Sequence, residues 1–313
     1  MSATSDAAHI PVLFQETMHI LRPHAGGRYI DGTVGAGGHT AGLLAASAPD
    51  GKVLAFDRDP EAISFARARL QSDASRVTFI NASYAEMGQL APTYGFNQVD
   101  GVLLDLGLSS RQLEDGLRGF SFLRDGPLDM RFDPRRGKTA ADLINTLSET
   151  DLASLFWHYG EERSSRKIAR AIVLARPLHT TGELRQVIEA VMGRRGRKHP
   201  ATQVFQALRI VVNEELAAVE KGLAAGIDLL KPGGRMAVIS FHSLEDRLVK
   251  QTFRQLSRDC VCPPQQPICT CDAHAVVQLV TRKAVQPGDE EIAANPRSRS
   301  ARLRVVEKRS GVA

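Results

Sequence analysis

Tyr29-Ile30-Asp31-Gly32-Thr33-Val34-Gly35-Ala36-Gly37-Gly38-His39 reads as a short buried strand that breaks into a glycine-rich turn and enters a helix at Thr40. Glycines at 32, 35, 37 and 38 permit positive φ and close approach of a ligand, because no Cβ stands in the way. Further on, the apolar run Val53-Leu54-Ala55-Phe56 ends in Asp57. In an α/β unit this sets a carboxylate at the tip of the neighbouring strand, where it can accept hydrogen bonds from ribose hydroxyls. A glycine turn followed by such an acid points to a nucleoside cofactor.

The kind of nucleoside follows from the turn. A dinucleotide site wants G-x-G-x-x-G, with the pyrophosphate on the helix N-terminus. Here the pattern is Asp31-Gly32-Thr33-x-Gly35-x-Gly37-Gly38, with an acid before the first glycine. A carboxylate there repels a pyrophosphate and suits a cationic or zwitterionic ligand. S-adenosylmethionine, with an ammonium, a sulfonium and a ribose but no phosphate, fits. The plainer alternative is a solvated Asp at a turn.

With 313 residues, 43% of them hydrophobic, the chain can bury a core as one large domain or two modest ones. Met1–Ile10 lacks the basic start and apolar core of a secretory signal, and no apolar run is long enough to span a membrane. The four cysteines all fall between 260 and 271, unlike a secreted disulfide framework. A cytoplasmic protein is expected. The net charge of +5 suits a polyanionic partner without demanding one. Two clusters sharpen that reading: Arg194-Arg195-Gly196-Arg197-Lys198-His199, and Arg297, Arg299, Arg302 and Arg304. Arg194, Arg195, Arg197 and Lys198 are candidate phosphate contacts, weighed against a merely solvated loop.

Strand and helix signals alternate from about 28 to 112: a helix over His39–Ala48, a strand Lys52–Phe56, a helix over Pro60–Ser72, and strands Val77–Ile80 and Val99–Asp105. Val102–Leu104 has the continuous apolar character of a parallel strand covered on both faces. This order predicts a doubly wound sheet with ligands at the carboxyl ends of its strands. From about 115 to 212 only helical periodicity remains, over Ala140–Asn145, Glu149–His158, Arg163–Ala175, Thr181–Met192 and Thr202–Val212. The α/β pattern then resumes with a helix Glu214–Leu230 stopped by Pro232-Gly233-Gly234, and strands Arg235–Ser240, Val276–Arg282 and Ala301–Val306. The expected organisation is a discontinuous α/β domain, 1–114 and 213–313, carrying a helical, RNA-recognising insert at 115–212.

At the end of the fourth strand, Asp105-Leu106-Gly107-Leu108-Ser109-Ser110 faces the switch point of the sheet. Asp105 is a candidate catalytic residue that would accept a hydrogen bond from an amine under methylation; it could equally fix the cofactor or cap the turn. After the fifth strand comes Ser240-Phe241-His242-Ser243-Leu244-Glu245-Asp246-Arg247. A hydrolase elbow needs glycines this run lacks. The expected arrangement makes Ser243 a helix N-cap with Asp246 closing a capping-box-like turn, and puts His242 on the rim as a substrate-side catalytic candidate. In the loop Gly119–Arg131, Phe120 and Phe122 could stack on an unpaired base, with Arg124 and Arg131 on phosphates; a packed interdomain hinge is the alternative. No catalytic metal set is expected. Cys260-x-Cys262 and Cys269-x-Cys271 could make a structural zinc site, but the one-residue spacing within each pair is tighter than usual and favours a loop of reduced thiols.

These residues together resemble the ribosomal RNA small-subunit methyltransferase H family, also called MraW. The matching segments include His9-x-Pro11-Val12-Leu13-x-x-Glu16, Asp31-Gly32-Thr33-x-Gly35-x-Gly37-Gly38-His39, Asp57-Arg58-Asp59-Pro60 and Leu103-Leu104-Asp105-Leu106-Gly107-x-Ser109-Ser110. Arg118–Phe122, Asp125–Arg131, Gly160–Arg163, His199–Thr202 and Ser240–Arg247 follow in order, so the likeness spans nearly the whole chain. The resemblance implies a Rossmann-like class I S-adenosylmethionine methyltransferase sheet with an inserted α-helical domain. It also implies methylation of the exocyclic N4 of a cytidine in the decoding centre of 16S rRNA, tuning P-site function of the small ribosomal subunit. Carried over by position, the cofactor contacts are Gly37, Gly38, His39, Asp57, Tyr84, Asp105 and Gln112, with Tyr84 standing where the family is expected to have Phe. The chain departs from the Asp/Asn/Ser-Pro-Pro-aromatic motif of many amino-methyltransferases, having Asp105-Leu106-Gly107 instead.

Rival readings are a methyltransferase acting on protein or small molecules, a non-enzymatic RNA-binding assembly factor, and a nicotinamide dehydrogenase. The basic clusters argue against the first, the intact glycine turn with Asp57 against the second, and Asp31 with the missing G-x-G-x-x-G against the third.

Overall fold

The computed structural model describes residues 11–310 apart from 194–198, 261, 263–265, 267, 269 and 272. Its strands are β1 Arg28–Asp31, β2 Lys52–Phe56, β3 Val77–Ile80, β4 Val99–Asp105, β5 Leu230–Ser240, β6 Val277–Leu279 and β7 Arg302–Lys308. They form one sheet in the order β3-β2-β1-β4-β5-β7-β6. The pairs from β3 through β5 are parallel, while β7 runs antiparallel to both β5 and β6. The strand order reverses at β1, which lies between β2 and β4, so the crevice of a doubly wound sheet opens at their carboxyl ends. This is the Rossmann-like class I methyltransferase sheet.

The helices are α1 Phe14–Leu21, α2 Gly38–Ala46, α3 Pro60–Arg69, α4 Met87–Thr93, α5 Ser110–Glu114, α6 Ala140–Thr146, α7 Glu149–Gly160, α8 Ser165–Ala175, α9 Thr181–Met192, α10 Ala201–Val212, α11 Glu215–Leu229, α12 Ser243–Leu256 and α13 Asp289–Ala294. Most ends fall within a few residues of the pattern expected from sequence. Two differ for visible reasons. The helix opening at Pro60 stops at Arg69, where a 3-10 turn over Gln71–Asp73 takes over. Pro232-Gly233-Gly234 lies inside β5 rather than before it: Leu230 pairs with Val99, Arg235 pairs with Gly101, and the residues between are extruded as a bulge.

The chain divides into two compact units, residues 1–107 with 218–313, and residues 108–217. In the first, alternate residues of each strand serve opposite faces of the sheet. Ile30, Leu54 and Phe56 pack with Met87, Leu223 and Phe253, whereas Tyr29, Val53 and Ala55 pack with Leu43, Ile63 and Ala66. Phe56 is fully buried, and truncating such a ring to Ala costs about 3–5 kcal/mol. The second unit has its own core, in which Ile144, Leu152, Phe156, Ile168, Ile172, Leu184 and Leu208 face one another. Thr139, Ser148 and Thr180 cap three of its helices by accepting from the backbone N–H of Asp142, Asp151 and Glu183. Each cap is worth about 1 kcal/mol. No helix among the described residues is long and apolar enough to cross a membrane.

Candidate functional site

The turn after β1 begins with an aspartate that faces inward. Asp31 is 1% exposed; its Oδ2 accepts from the Thr40 hydroxyl at 2.6 Å and its Oδ1 from the Thr33 backbone N–H at 3.1 Å. The second bond is an Asx turn, in which the side chain closes on the backbone two residues ahead. Burial pushes the Asp31 carboxyl above its ordinary range, against the opposing pull of Thr40 and His39. The carboxylate expected to meet a cationic ligand is thus a brace within the turn. Gly37 caps α2 at φ 76, a conformation that strains any side chain. A Cβ on Gly38 would overlap the ring of Pro11. The helix therefore opens at Gly38, ahead of the expected Thr40.

The tip of β2 is tied to the same turn. Asp57 accepts from the Gly35 N–H through Oδ2 and from the Asp59 N–H through Oδ1, both at 2.9 Å. Burial raises its carboxyl to about 6 in spite of these two bonds, with Asp59 and Asp31 adding to the push. Each carboxylate oxygen keeps a second lone pair that can receive a hydroxyl proton.

At the end of β4, the backbone N–H of Asp105 donates to the Thr33 hydroxyl at 2.6 Å, joining the two strands across the switch point. Oδ2 of Asp105 lies 3.5 Å from Nδ1 of His39. Oδ1 is buried and has no hydrogen-bond partner among the described residues. The His39 ring is 5% exposed and stacks on Phe14 with centroids 6.0 Å apart. Burial alone would lower its pKa, but the Asp105 carboxylate outweighs it, helped by Asp31 and the Val12 carbonyl, and the net shift is upward. Tyr84 opens a 3-10 turn capped by Ser83, and its ring occupies the space that a side chain on Gly222 would need. Gly37, Gly38, His39, Asp57, Tyr84 and Asp105 all belong to the α/β unit and cluster about the carboxyl ends of its strands.

Gln112 belongs to the helical unit. It is 9% exposed, and its Oε1 accepts from the Ser109 N–H at 3.0 Å in a capping box for α5. In the same unit the aromatic loop is folded inward. Phe120 is 6% exposed and stacked on Phe132, so its ring has no free face for a base. Phe122 stacks on His199 with centroids 4.5 Å apart and meets Phe205 edge-on. Arg131 forms a two-pronged pair with Asp129, at 2.8 and 2.6 Å. Burial would raise the Asp129 carboxyl, but Arg131 holds it below its ordinary range. Phe120, Phe122 and Arg131 all find their partners within the helical unit. Arg124 is exposed and donates to the Glu114 carbonyl. Arg194, Arg195, Arg197 and Lys198 lie outside the described residues.

Beyond β5, the N-cap of α12 is His242 rather than the expected Ser243, and Glu245 rather than Asp246 closes the box. The Glu245 N–H donates to His242 Nδ1 at 3.4 Å, and Glu245 Oε2 accepts from the N–H of Phe241 and of His242 at 2.9 and 3.3 Å. Asp246 instead takes both prongs of Arg304, at 2.7 and 3.1 Å, which withdraws that arginine from the C-terminal basic cluster. Thr33 and Thr40 went unremarked as site residues, although an Asp-Gly-Thr turn with a hydroxyl one helical turn further on carries the signal.

The model of the MraW methylase family matches residues 6–309. A protein named ribosomal RNA small subunit methyltransferase H from Thermomicrobium roseum is 53% identical over 96% of this chain and 93% of its own. The protein of that name from Syntrophobacter fumaroxidans is 50% identical over 96% of each chain. Among solved structures, an S-adenosylmethionine-dependent O-methyltransferase from Thermotoga maritima aligns with TM-score 0.42 and 13% identity, over 96% of this chain and 66% of that one. That likeness is too slight to add to the sheet topology, whereas the sequence matches run nearly end to end. This chain belongs to the MraW methylase family.

Proposed function

We propose that this protein transfers a methyl group from S-adenosylmethionine to the exocyclic N4 of a cytidine in the decoding centre of 16S rRNA, acting on small ribosomal subunits in the cytoplasm. The observation that carries the reading is the buried, unpartnered Oδ1 of Asp105, set at the switch point beside the glycine turn and Asp57. The names borne by relatives identical at half their positions supply the substrate class.

The donor set fits S-adenosylmethionine. Asp57 offers two acceptors for a ribose diol, Asp105 an acceptor for an ammonium or amine, and Tyr84 a ring edge for a base. When bound, the cofactor supplies an electrophilic methyl on a sulfonium. Cytidine N4 is a poor nucleophile because its lone pair is drawn into the ring. An acceptor that binds the amine N–H turns that lone pair outward, and in this reading that acceptor is Asp105 Oδ1, whose lack of a partner among the described residues supports the role. With the methyl supplied by the cofactor, the surplus amine proton would pass to Asp105 or to water. His39 beside Oδ2 orients the carboxylate, and Thr33 fixes its backbone.

The test is mass spectrometry of 16S rRNA from cells with and without the gene. The expected result is the loss of one methyl on a single decoding-centre cytidine; identical methylation in both would contradict the proposal.

A further inference from the structure

The connection between α12 and β6 carries no helix or strand among its described residues. Connections of that length without secondary structure are uncommon unless they serve a purpose. Its base is pinned. The Val276 N–H donates to the Leu256 carbonyl at 2.9 Å, and Asp259 accepts from the Ala275 N–H at 3.0 Å and from Arg309 at 3.1 Å. Within it, the sulfurs of Cys260, Cys262 and Cys271 all lie within 4.8 Å of one another. Those of Cys260 and Cys271 are 3.8 Å apart. Thiolates held tetrahedrally around Zn2+ at about 2.3 Å have neighbouring sulfurs about 3.8 Å apart. The structure thus brings together three sulfurs from both ends of the connection, one pair of them at the separation a zinc site imposes.

We propose that Cys260, Cys262 and Cys271 bind Zn2+ as thiolates in a structural site that closes the connection between α12 and β6. The one-residue spacing that counted against zinc in the sequence is no obstacle, because the sulfurs of Cys260 and Cys262 lie within 4.8 Å of each other and of the Cys271 sulfur. No oxidant or reductant is needed. Each thiol gives up its proton as a Zn–S bond forms, so affinity falls as pH is lowered. The metal cross-links residues that are distant in sequence and gives the connection the rigidity that secondary structure gives elsewhere in the unit. The proposal concerns neither the cofactor nor the methyl transfer, and it stands or falls independently of them.

The test uses the full chain, purified under reducing conditions with zinc present, with metal measured by mass spectrometry. About one zinc per chain is expected, falling below about a tenth of that in Cys260→Ser and in Cys271→Ser. Circular dichroism and S-adenosylmethionine affinity should show that the variants fold. If they do not, replacement of zinc by Co2+ in the natural chain decides, because thiolate-to-cobalt charge transfer grows with the number of thiolate ligands. An intensity for at least three thiolates is expected. Metal-free protein, a cobalt spectrum with fewer thiolates, or a disulfide among these cysteines after reducing purification would each overturn the proposal.

Discussion

The turns that leave the neighbouring strands β1 and β4 each begin with an aspartate, Asp31 buried and Asp105 partly exposed, and the two are used in opposite ways. Asp31 spends both oxygens inside the protein, on Thr33 and Thr40. Asp105 sets one oxygen toward His39 and leaves the other with no partner among the described residues. The difference starts in the next two residues. Gly32-Thr33 bends back to present an N–H to Asp31, and α2 brings the Thr40 hydroxyl over it. Leu106-Gly107 offers Asp105 no hydroxyl, and the Thr33 hydroxyl accepts from the Asp105 backbone N–H. A buried polar atom is costly unless satisfied, so the first turn is finished by folding, while the second leaves Asp105 Oδ1 for the ligand proposed above.

Exchanging the two aspartates for alanine gives the largest contrast. Asp105→Ala should lower methyl transfer to small subunits by about 10²–10⁴-fold, the range of a lost general acid–base group, with rRNA binding and melting temperature nearly unchanged. Asp31→Ala should instead destabilise the fold by about 1–3 kcal/mol, because the Thr40 hydroxyl and the Thr33 N–H lose their acceptor. Kinetics and thermal melts on both variants check this. A reversal, with Asp31→Ala stable but dead, would break the comparison.

Asp57 stands between the two, since both its oxygens are engaged yet each keeps a lone pair outward. Asp57→Ala should weaken S-adenosylmethionine binding by about 1–3 kcal/mol, or roughly 5–150-fold, by calorimetry. The pH dependence is sharper. With its carboxyl raised to about 6 in the cofactor-free protein, the fold holds the proton more tightly than the unfolded chain does. The stability tied to this group is present below the ordinary value of about 4 and is lost as pH rises through about 6. Ribose hydroxyls need the ionised form as acceptor. Cofactor affinity should therefore climb across that interval, and binding below about pH 6 should release a proton, measurable in buffers of different ionisation enthalpy. A flat profile would remove Asp57 from the site.

A smaller effect is expected from Thr33→Val, which deprives the Asp105 N–H of its acceptor. A loss of about 1 kcal/mol in stability should accompany a lower kcat with little change in the KM for S-adenosylmethionine. Smallest of all, on the cofactor side, is neutralisation of Arg194, Arg195, Arg197 and Lys198. It should leave cofactor affinity untouched and flatten the salt dependence of RNA binding by nearly one unit of slope per lost contact. Normal binding at every salt concentration would make that cluster a solvated surface.

The sheet and the glycine turn were legible because their signals are local: strand-length apolar runs, an acid at a strand end, and glycines where φ turns positive. The helical unit was legible for the same reason, its helices announcing themselves by period. What escaped was pairing. In Asp129-Met130-Arg131 and again in Asp133-Pro134-Arg135, the aspartate takes the backbone N–H and the guanidinium of the arginine two residues on. A D-x-R repeat that closes on itself looks, in sequence, like a charged loop awaiting phosphate. The cap of α12 was misplaced by one residue because His242 does with a ring nitrogen what a serine hydroxyl was expected to do. For Phe120 the sequence leaves base stacking and packing both open, because nothing in its own neighbourhood reveals that Phe132 covers it.

The most direct measurement supplies the purified protein with S-adenosylmethionine labelled in its methyl group and small subunits from cells lacking the gene, then digests the 16S rRNA to nucleosides. The account predicts label in N4-methylcytidine, about one methyl per subunit, with Asp105→Ala transferring at least about a hundredfold more slowly. Label in a base carbon or a ribose oxygen, no transfer at all, or full activity in Asp105→Ala would contradict it.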